Sequence, residues 1–312
     1  MVLSQKYITM HPLFKKWIFC SAFVTCLINT TTVRSQEVGS LLDLLDDEEE
    51  TINYTTASFK ANRVINLHSL ENTARGVLDF RINHRFGFLN TGLYELFGLD
   101  RASVRLGFDL GVTDNFQIGI GRSGFEKTLD GYMKYRILRQ SSGKKNMPIT
   151  LSILATGGIR TERWSRIDVE YPFYARLNYA FQAIVGRKFS ENFSLQLSPT
   201  IVHRNLVRTR AEANTVMALG TGFRYKLTKR VTFNGEYIYV LPNQLADGFN
   251  NSLSIGFDIE TGGHVFQLHF TNSTPMIEHA FITQTTGDWM QGGIHFGFNI
   301  SRVFTLWRPE VF

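Results

Sequence analysis

The sequence predicts an all-β protein: an antiparallel, up-and-down transmembrane β-barrel of about twelve strands. Three observations carry this expectation. Between Gly76 and Phe304, stretches of roughly ten residues alternate apolar with polar or small side chains, as in Ile294-His295-Phe296-Gly297-Phe298-Asn299-Ile300. The connections between these stretches alternate long and short. The chain also begins with an export signal.

Lys15 and Lys16 precede the apolar run Trp17–Ile28, and Val33 and Ser35 supply a cleavage site for removal after Ser35. About twelve apolar residues fall short of the ~20 that a spanning helix needs. Residues 1–35 therefore read as a signal peptide rather than an anchor. Lipoprotein processing before Cys26 is disfavoured, because Phe23 and Thr25 make a poor lipobox. Both cysteines, Cys20 and Cys26, leave with the peptide, so thiolate chemistry, disulfides and Cys-ligated metals are excluded from the mature chain. Four of the 33 basic residues leave too (Lys6, Lys15, Lys16, Arg34) and none of the 27 acidic ones, which lowers the net charge from +6 to about +2. That removes the case for nucleic acid as a partner.

Residues 36–57, with Leu41-Leu42-Asp43-Leu44-Leu45 followed by five consecutive acids (Asp46–Glu50), read as an acidic, flexible periplasmic leader. Residues 58–312 form the expected barrel. Within them, 58–75 hold a short β-like stretch, Phe59–Ile65, which the pattern leaves open as an extra strand, a lumen segment or a periplasmic cap. Strands follow at 76–87, 101–112, 115–123, 130–139, 148–157, 173–187, 193–205, 214–227, 231–241, 252–261, 263–272 and 291–304. Counting from the first, odd connections are long and even ones are short except for 140–147. Brief periplasmic turns and longer external loops give that parity, whereas a soluble sandwich has no reason to segregate its loops. Tyr94, Phe97, Tyr171, Phe173, Tyr237 and Tyr239 lie near strand ends, where aromatic rings suit the headgroup zone.

Taking the polar face as the lumen places Arg81, Arg85, Arg105, Lys134, Arg136, Arg176, Arg204, Arg224 and Lys226 inside, against the acids Asp79, Asp109, Glu236, Asp258 and Glu260. An open lumen of this kind favours anions. A packed lumen, in which these groups pair and fill the space, is the alternative. No Gly-x-Ser-x-Gly, His-Glu-x-x-His, P-loop or dinucleotide fingerprint occurs, so an enzyme is not expected and neither metal nor cofactor is implied. His84 and His203 fall on the apolar face. His269 and His295 fall on the lumen faces of adjacent strands, with Glu278 and His279 in the loop between, and make one candidate polar site.

Arg63–Asn66, His84–Gly87, Tyr94–Asp100, His203–Leu206 and the long block Asn251–Ser273 resemble a family of β-barrel proteins of the Bacteroidetes outer membrane. The resemblance spans residues 52–306. It implies fold and location and carries over no catalytic or binding residue.

The expected protein is thus an exported barrel of a Gram-negative outer membrane, porin-like, with outer-membrane lipids, the barrel-assembly machinery and small anionic solutes as partners. A narrow pore or transporter-like protein with weak anion preference is the first reading. A non-conducting barrel serving as scaffold or partner platform is the alternative, and a barrel enzyme acting on lipid is the third. Phe298, Phe304 and Phe312 are candidates for an assembly signal at the end of the chain.

Overall fold

A computed structural model describes residues 51–163 and 171–308. The expected signal peptide, most of the leader and Phe312 lie outside the described residues. The strands in chain order are β1 (Ile52–Tyr54), β2 (Val77–Phe88), β3 (Ala102–Gly111), β4 (Phe116–Ser123), β5 (Leu129–Leu138), β6 (Ser141–Gly143), β7 (Thr150–Ile159), β8 (Leu177–Lys188), β9 (Phe193–Arg204), β10 (Thr215–Lys226), β11 (Val231–Val240), β12 (Ser252–Thr261), β13 (His264–Thr271) and β14 (His295–Thr305). All but β1 and β6 form one closed antiparallel barrel, with each strand beside its sequence neighbour and β14 closing on β2 through Ile300 opposite Ile82. The twelve expected strands are all present, each within four residues of its expected ends.

Alternation explains the wall. Outward positions carry apolar side chains that meet across strands, as Phe80 with Phe108 (ring centroids 5.1 Å apart), and Phe233 between Phe223 (5.7 Å) and Phe257 (5.3 Å). Three of the short turns share one device. The hydroxyls of Thr113, Ser190 and Thr228 accept the backbone N–H three residues on, from Phe116 (2.9 Å), Phe193 (3.1 Å) and Val231 (3.0 Å). Such hydroxyl turns hold adjacent strands in register without a long loop. The exceptional even connection, 139–149, has a reason for its length: it contains β6, which pairs with β1 through Asn53 opposite Ser142. The expected leader 36–57 is corrected at its end by this pairing, since Ile52–Tyr54 is a strand. Among the described residues no helix is long and apolar enough to cross a membrane, so any crossing is made by strands.

The interior is filled. Residues 58–75 enter the barrel, which resolves that segment as a lumen element, and helix α1 (Glu278–Thr283), from the last long loop, is buried along its whole length. One apolar cluster inside the barrel joins Phe59, Val64, Leu67 and Leu70 of the first segment and Phe281 and Ile282 of α1 to the wall residues Leu154, Ile184, Val202, Val216 and Ile238. The wall from β7 to β11 is therefore apolar on parts of both faces, while β2–β5 and β12–β14 keep a polar inner face.

Candidate functional site: the filled lumen

A segment without regular ladder partners brings bare peptide groups into a space closed to water, and each needs a partner. Residues 63–68 supply some themselves: Val64 N–H donates to Leu67 O (2.8 Å), and Arg63 and His68 form a bridge. The wall supplies the rest. Glu236 accepts from the N–H groups of Ile65 (3.2 Å), Asn66 (2.9 Å) and Leu67 (2.9 Å). Gln267 donates to the carbonyls of Arg63 (3.2 Å) and Val64 (3.0 Å), Asn299 to Ile65 (3.0 Å) and Gln196 to His68 (2.7 Å). Lys134 donates to the carbonyls of Ser69 (2.8 Å) and Glu71 (2.5 Å), Arg136 to Leu70 (3.3 Å) and Arg224 to Ala57 (2.7 Å). Arg85 reaches the side-chain oxygens of Asn66 and Asn299, both at 2.9 Å.

Glycines give this plug its clearance. A Cβ at Gly186 would stand 2.7 Å from Leu70, and one at Gly220 or Gly222 would stand 3.0 Å from Leu67 or Val64. The plug's apolar side chains therefore seat directly against wall backbone.

Plug and helix are joined by an ion pair. The guanidinium of Arg63 donates to the carboxylate of Glu278, and both side chains are 4% exposed. His68 Nε2 lies 3.3 Å from the same carboxylate, and its ring meets Tyr132 edge-on at 4.4 Å. Burial, and next the charge of Arg63, hold the His68 imidazole down to about 3 despite the nearby Glu278. Burial likewise lowers His279 to about 4. For Glu278, burial pushes the carboxyl up, but Arg63 and His68 outweigh it and leave the group below the usual carboxylate range. Both histidines are thus packed neutral.

The sign of the pH dependence follows. A displaced, hydrated histidine binds a proton near its ordinary 6.5, whereas the packed ones do not until about 4 or 3. The filled state is fully stable above 6.5 and loses stability as pH falls toward 3, by up to about 1.4 kcal/mol per pH unit per histidine. Glu278 acts in the same direction at the acid end. The urea midpoint of the refolded barrel in detergent is expected to fall as pH is lowered from 7.5 to 4, and the variant H68Q/H279Q is expected to respond less.

Deeper in the wall, Arg81 pairs with Asp79 (3.0 Å) and faces Asp109 (3.8 Å), and Arg105 pairs with Asp130. At the end carrying the long loops, Glu126 binds Arg160 (2.9 Å) and Arg208 (2.7 Å), while Arg204 binds Glu212 (2.8 Å). These pairs tie together three of the long connections.

Of the expected lumen charges, Arg81, Arg85, Arg105, Lys134, Arg136, Arg204, Arg224, Asp79, Asp109, Glu236 and Asp258 are buried inside the barrel. Three depart from expectation. Arg176 precedes β8 in a single 3-10 turn, Phe173–Arg176, and donates to the carbonyls of Arg160 (3.1 Å) and Glu162 (2.9 Å). Glu260 is exposed at the short-turn end, where it pairs with Lys60 of the plug. Lys226, at the same end, is half-buried. Of the open and packed lumens that the sequence leaves as alternatives, the structure has the packed one: the excess cations Lys134, Arg136 and Arg224 face plug carbonyls instead of an aqueous path. His269 and His295 do not join. His295 donates from Nδ1 to Phe86 O and accepts at Nε2 from the Thr274 hydroxyl, both at 2.9 Å, while His269 is buried opposite Gly297 with neither ring nitrogen hydrogen-bonded. Glu278 instead meets Arg63 and His68 of the plug.

Sequence reasoning missed the group formed by Arg63, His68 and Glu278. A signal was present: inward-facing Ala180, Ile184, Val202 and Val216 are apolar where an aqueous lumen wants polar groups. Glycines 186, 220 and 222 share that inward face.

A closed antiparallel wall around a polar and apolar filling defines a plugged β-barrel of the membrane-bound class. The chain belongs to the family described as membrane-bound beta barrel domain (DUF5777), which matches residues 59–304. Among curated proteins the chain finds no significant match. Solved structures similar to it include the NanC porin (8% identity, TM-score 0.45, 73% of this chain and 98% of the porin). Others are LpxR from Salmonella typhimurium (12%, 0.33, 73% and 100%) and OmpF of Salmonella typhi in complex with daunomycin (7%, 0.35, 73% and 97%). At these identities they transfer no activity to this chain.

Proposed function

We propose that the protein is an outer-membrane transport barrel that rests closed and opens when residues 58–75 withdraw from the lumen. It is exported through the signal peptide 1–35 and oriented with its short turns in the periplasm, and it performs no catalysis. The observation that carries this reading is the polar seam between plug and wall. The side chains of Glu236, Gln267, Asn299, Gln196, Lys134 and Arg136 hydrogen-bond the plug's backbone, and all of them can exchange to water when the plug leaves. The plug is also continuous with β1 at the short-turn end, so withdrawal toward that end breaks no strand of the barrel.

Withdrawal uncovers Arg85, Lys134, Arg136 and Arg224, which gives the opened lumen a weak preference for small anions. In planar bilayers the full chain is expected to conduct rarely, and the deletion of residues 58–75 to conduct steadily with an anion-selective reversal potential. A deletion barrel that keeps heat-modifiable migration yet stays silent overturns the transport reading, and cation selectivity overturns the anion preference.

The second reading, a non-conducting scaffold, is favoured by the apolar cluster that Phe59, Val64, Leu67 and Leu70 of the plug share with α1 and the wall, because those contacts are lost on opening and apolar surface is left to water. Lipid chemistry at His269 and His295 has the least support, since no hydrogen bond links the two rings. Retained function in His269→Ala disposes of it.

A further inference from the structure

Plug and wall leave a polar cavity of about 410 Å³ between them at the short-turn end, a size usual for small-molecule sites. Asp79 of β2 and Asn62, Asn72 and Thr73 of the plug share its lining. Asp79 is 4% exposed, and its Oδ2 accepts from Arg81 (3.0 Å) and from Asn62 (3.4 Å). Asn62 also donates to Thr73 (2.6 Å), so the carboxylate lies against the plug side of the cavity. Its other oxygen, Oδ1, is buried and has no hydrogen-bond partner among the described residues. The same holds for both amide atoms of Asn72, Oδ1 and Nδ2. Native structures rarely leave such atoms bare, so each calls for a group that the chain does not supply.

Charge defines what Asp79 lacks. It stands opposite Asp109 across β2 and β3, and one guanidinium serves both, with Arg81 3.0 Å from Asp79 and 3.8 Å from Asp109. Two carboxylates and one arginine leave a negative charge over. The other acids of the cavity are engaged. Glu71 accepts from the plug N–H groups of Ser58 (2.6 Å) and Phe59 (3.3 Å), and Glu260 pairs with Lys60. The complement is therefore one cation at Asp79.

A metal ion fits poorly, because among the described residues no three His, Cys, Asp or Glu side chains are grouped to hold one. An ammonium needs only acceptors. Asn72 offers one donor and one acceptor side by side, the complement of an amide. Phe59, Val77, Val265 and Val303 line the same cavity and suit an aliphatic group. An ammonium, an amide and an apolar side chain within a few bonds of one another are what the first residue of a peptide presents.

We propose that this cavity binds the N-terminal residue of a short peptide, with the ammonium on Asp79, the amide on Asn72 and the side chain beside Phe59 and the valines. Asp79 belongs to the wall and Asn72 to the plug, so the occupant binds only while the plug is seated. It therefore stabilises the closed barrel by linkage. Its binding can be measured whether or not the barrel ever opens, which keeps the site separate from the transport reading.

Isothermal titration calorimetry of the refolded full chain in detergent at pH 7, with leucinamide as the probe, tests this. Leucinamide is expected to bind about tenfold or more tightly than N-acetylleucinamide, which lacks the charge, and more tightly than isopentylamine, which lacks the amide. Asp79→Asn is expected to abolish the first preference and Asn72→Leu the second. Heat-modifiable migration verifies that each variant remains a barrel. The barrel without residues 58–75 is expected to bind none of the three. Equal affinity of the wild type for leucinamide and N-acetylleucinamide overturns the ammonium assignment, and that comparison needs no variant to fold. Equal affinity for isopentylamine overturns the amide assignment. Failure of leucinamide to bind the full chain, or binding that persists without residues 58–75, overturns the site.

Discussion

Glu278→Ala is expected to destabilise the closed barrel by about 3–5 kcal/mol, the cost of leaving a buried charge unpaired. Arg63 and Glu278 are both almost fully removed from solvent, and among the described residues the guanidinium has, besides the carboxylate, the carbonyl of Asn66 (2.9 Å) in the plug and the ring of Tyr132 on β5 (5.7 Å from the centroid). Removing Glu278 therefore strands Arg63. Removing both charges, in R63M/E278A, is expected to recover a good part of the loss, because the pair's own net contribution is small once desolvation is counted. Urea midpoints of the refolded barrel in detergent give the double-mutant cycle. A single-variant loss below about 1 kcal/mol, the size of an exposed pair, or strictly additive losses would show that the two groups are hydrated in the closed state. Because this pair is the direct tie between plug and α1, the same variant is expected to open more often in planar bilayers.

The wall was legible because its environment is simple. A strand with lipid on one side and a polar interior on the other must alternate, so Leu78, Phe80 and Ile82 against Asp79, Arg81 and Asn83 locate β2 unaided. Ends were less legible. Phe173 and Tyr174 read as strand residues because they are apolar, yet they form an exposed 3-10 turn ahead of β8. The filling was not legible, for two reasons. Residues 58–75 have no period of their own, and their partners lie far along the chain: Gln196, Glu236, Gln267 and Asn299. Moreover, a polar inner face looks the same in sequence whether it meets water or the peptide groups of a plug. Lys134 is a cation on the inner face in either case, and only the structure shows that its ammonium meets two plug carbonyls, those of Ser69 and Glu71. Parity put eleven of the fourteen lumen charges inside the barrel and failed at Arg176, Lys226 and Glu260, and it did not show that the inner cations serve the plug.

Glu236→Leu is the sharper test of whether the plug is a gate or a core. The hydrogen bonds that Glu236 accepts, among the described residues, all come from the plug: the N–H groups of Ile65, Asn66 and Leu67. Successive N–H groups converging on one carboxylate form a compact anion cradle. Leucine leaves all three donors buried without an acceptor, at about 1–3 kcal/mol for each that finds no water. Glu236→Gln keeps the shape and one accepting oxygen but turns an amide donor toward the same N–H groups, so an intermediate loss is expected. The ladder on either side of position 236, to Gly222 and Ser254, involves backbone alone and is untouched by either change. The expected result is a barrel that migrates as folded on a heat-modifiable gel but opens more often in bilayers, in the order Leu above Gln above wild type. If Glu236→Leu instead abolishes heat-modifiable folding without ever conducting, the plug belongs to the folding core of the barrel, and the scaffold reading replaces the gate.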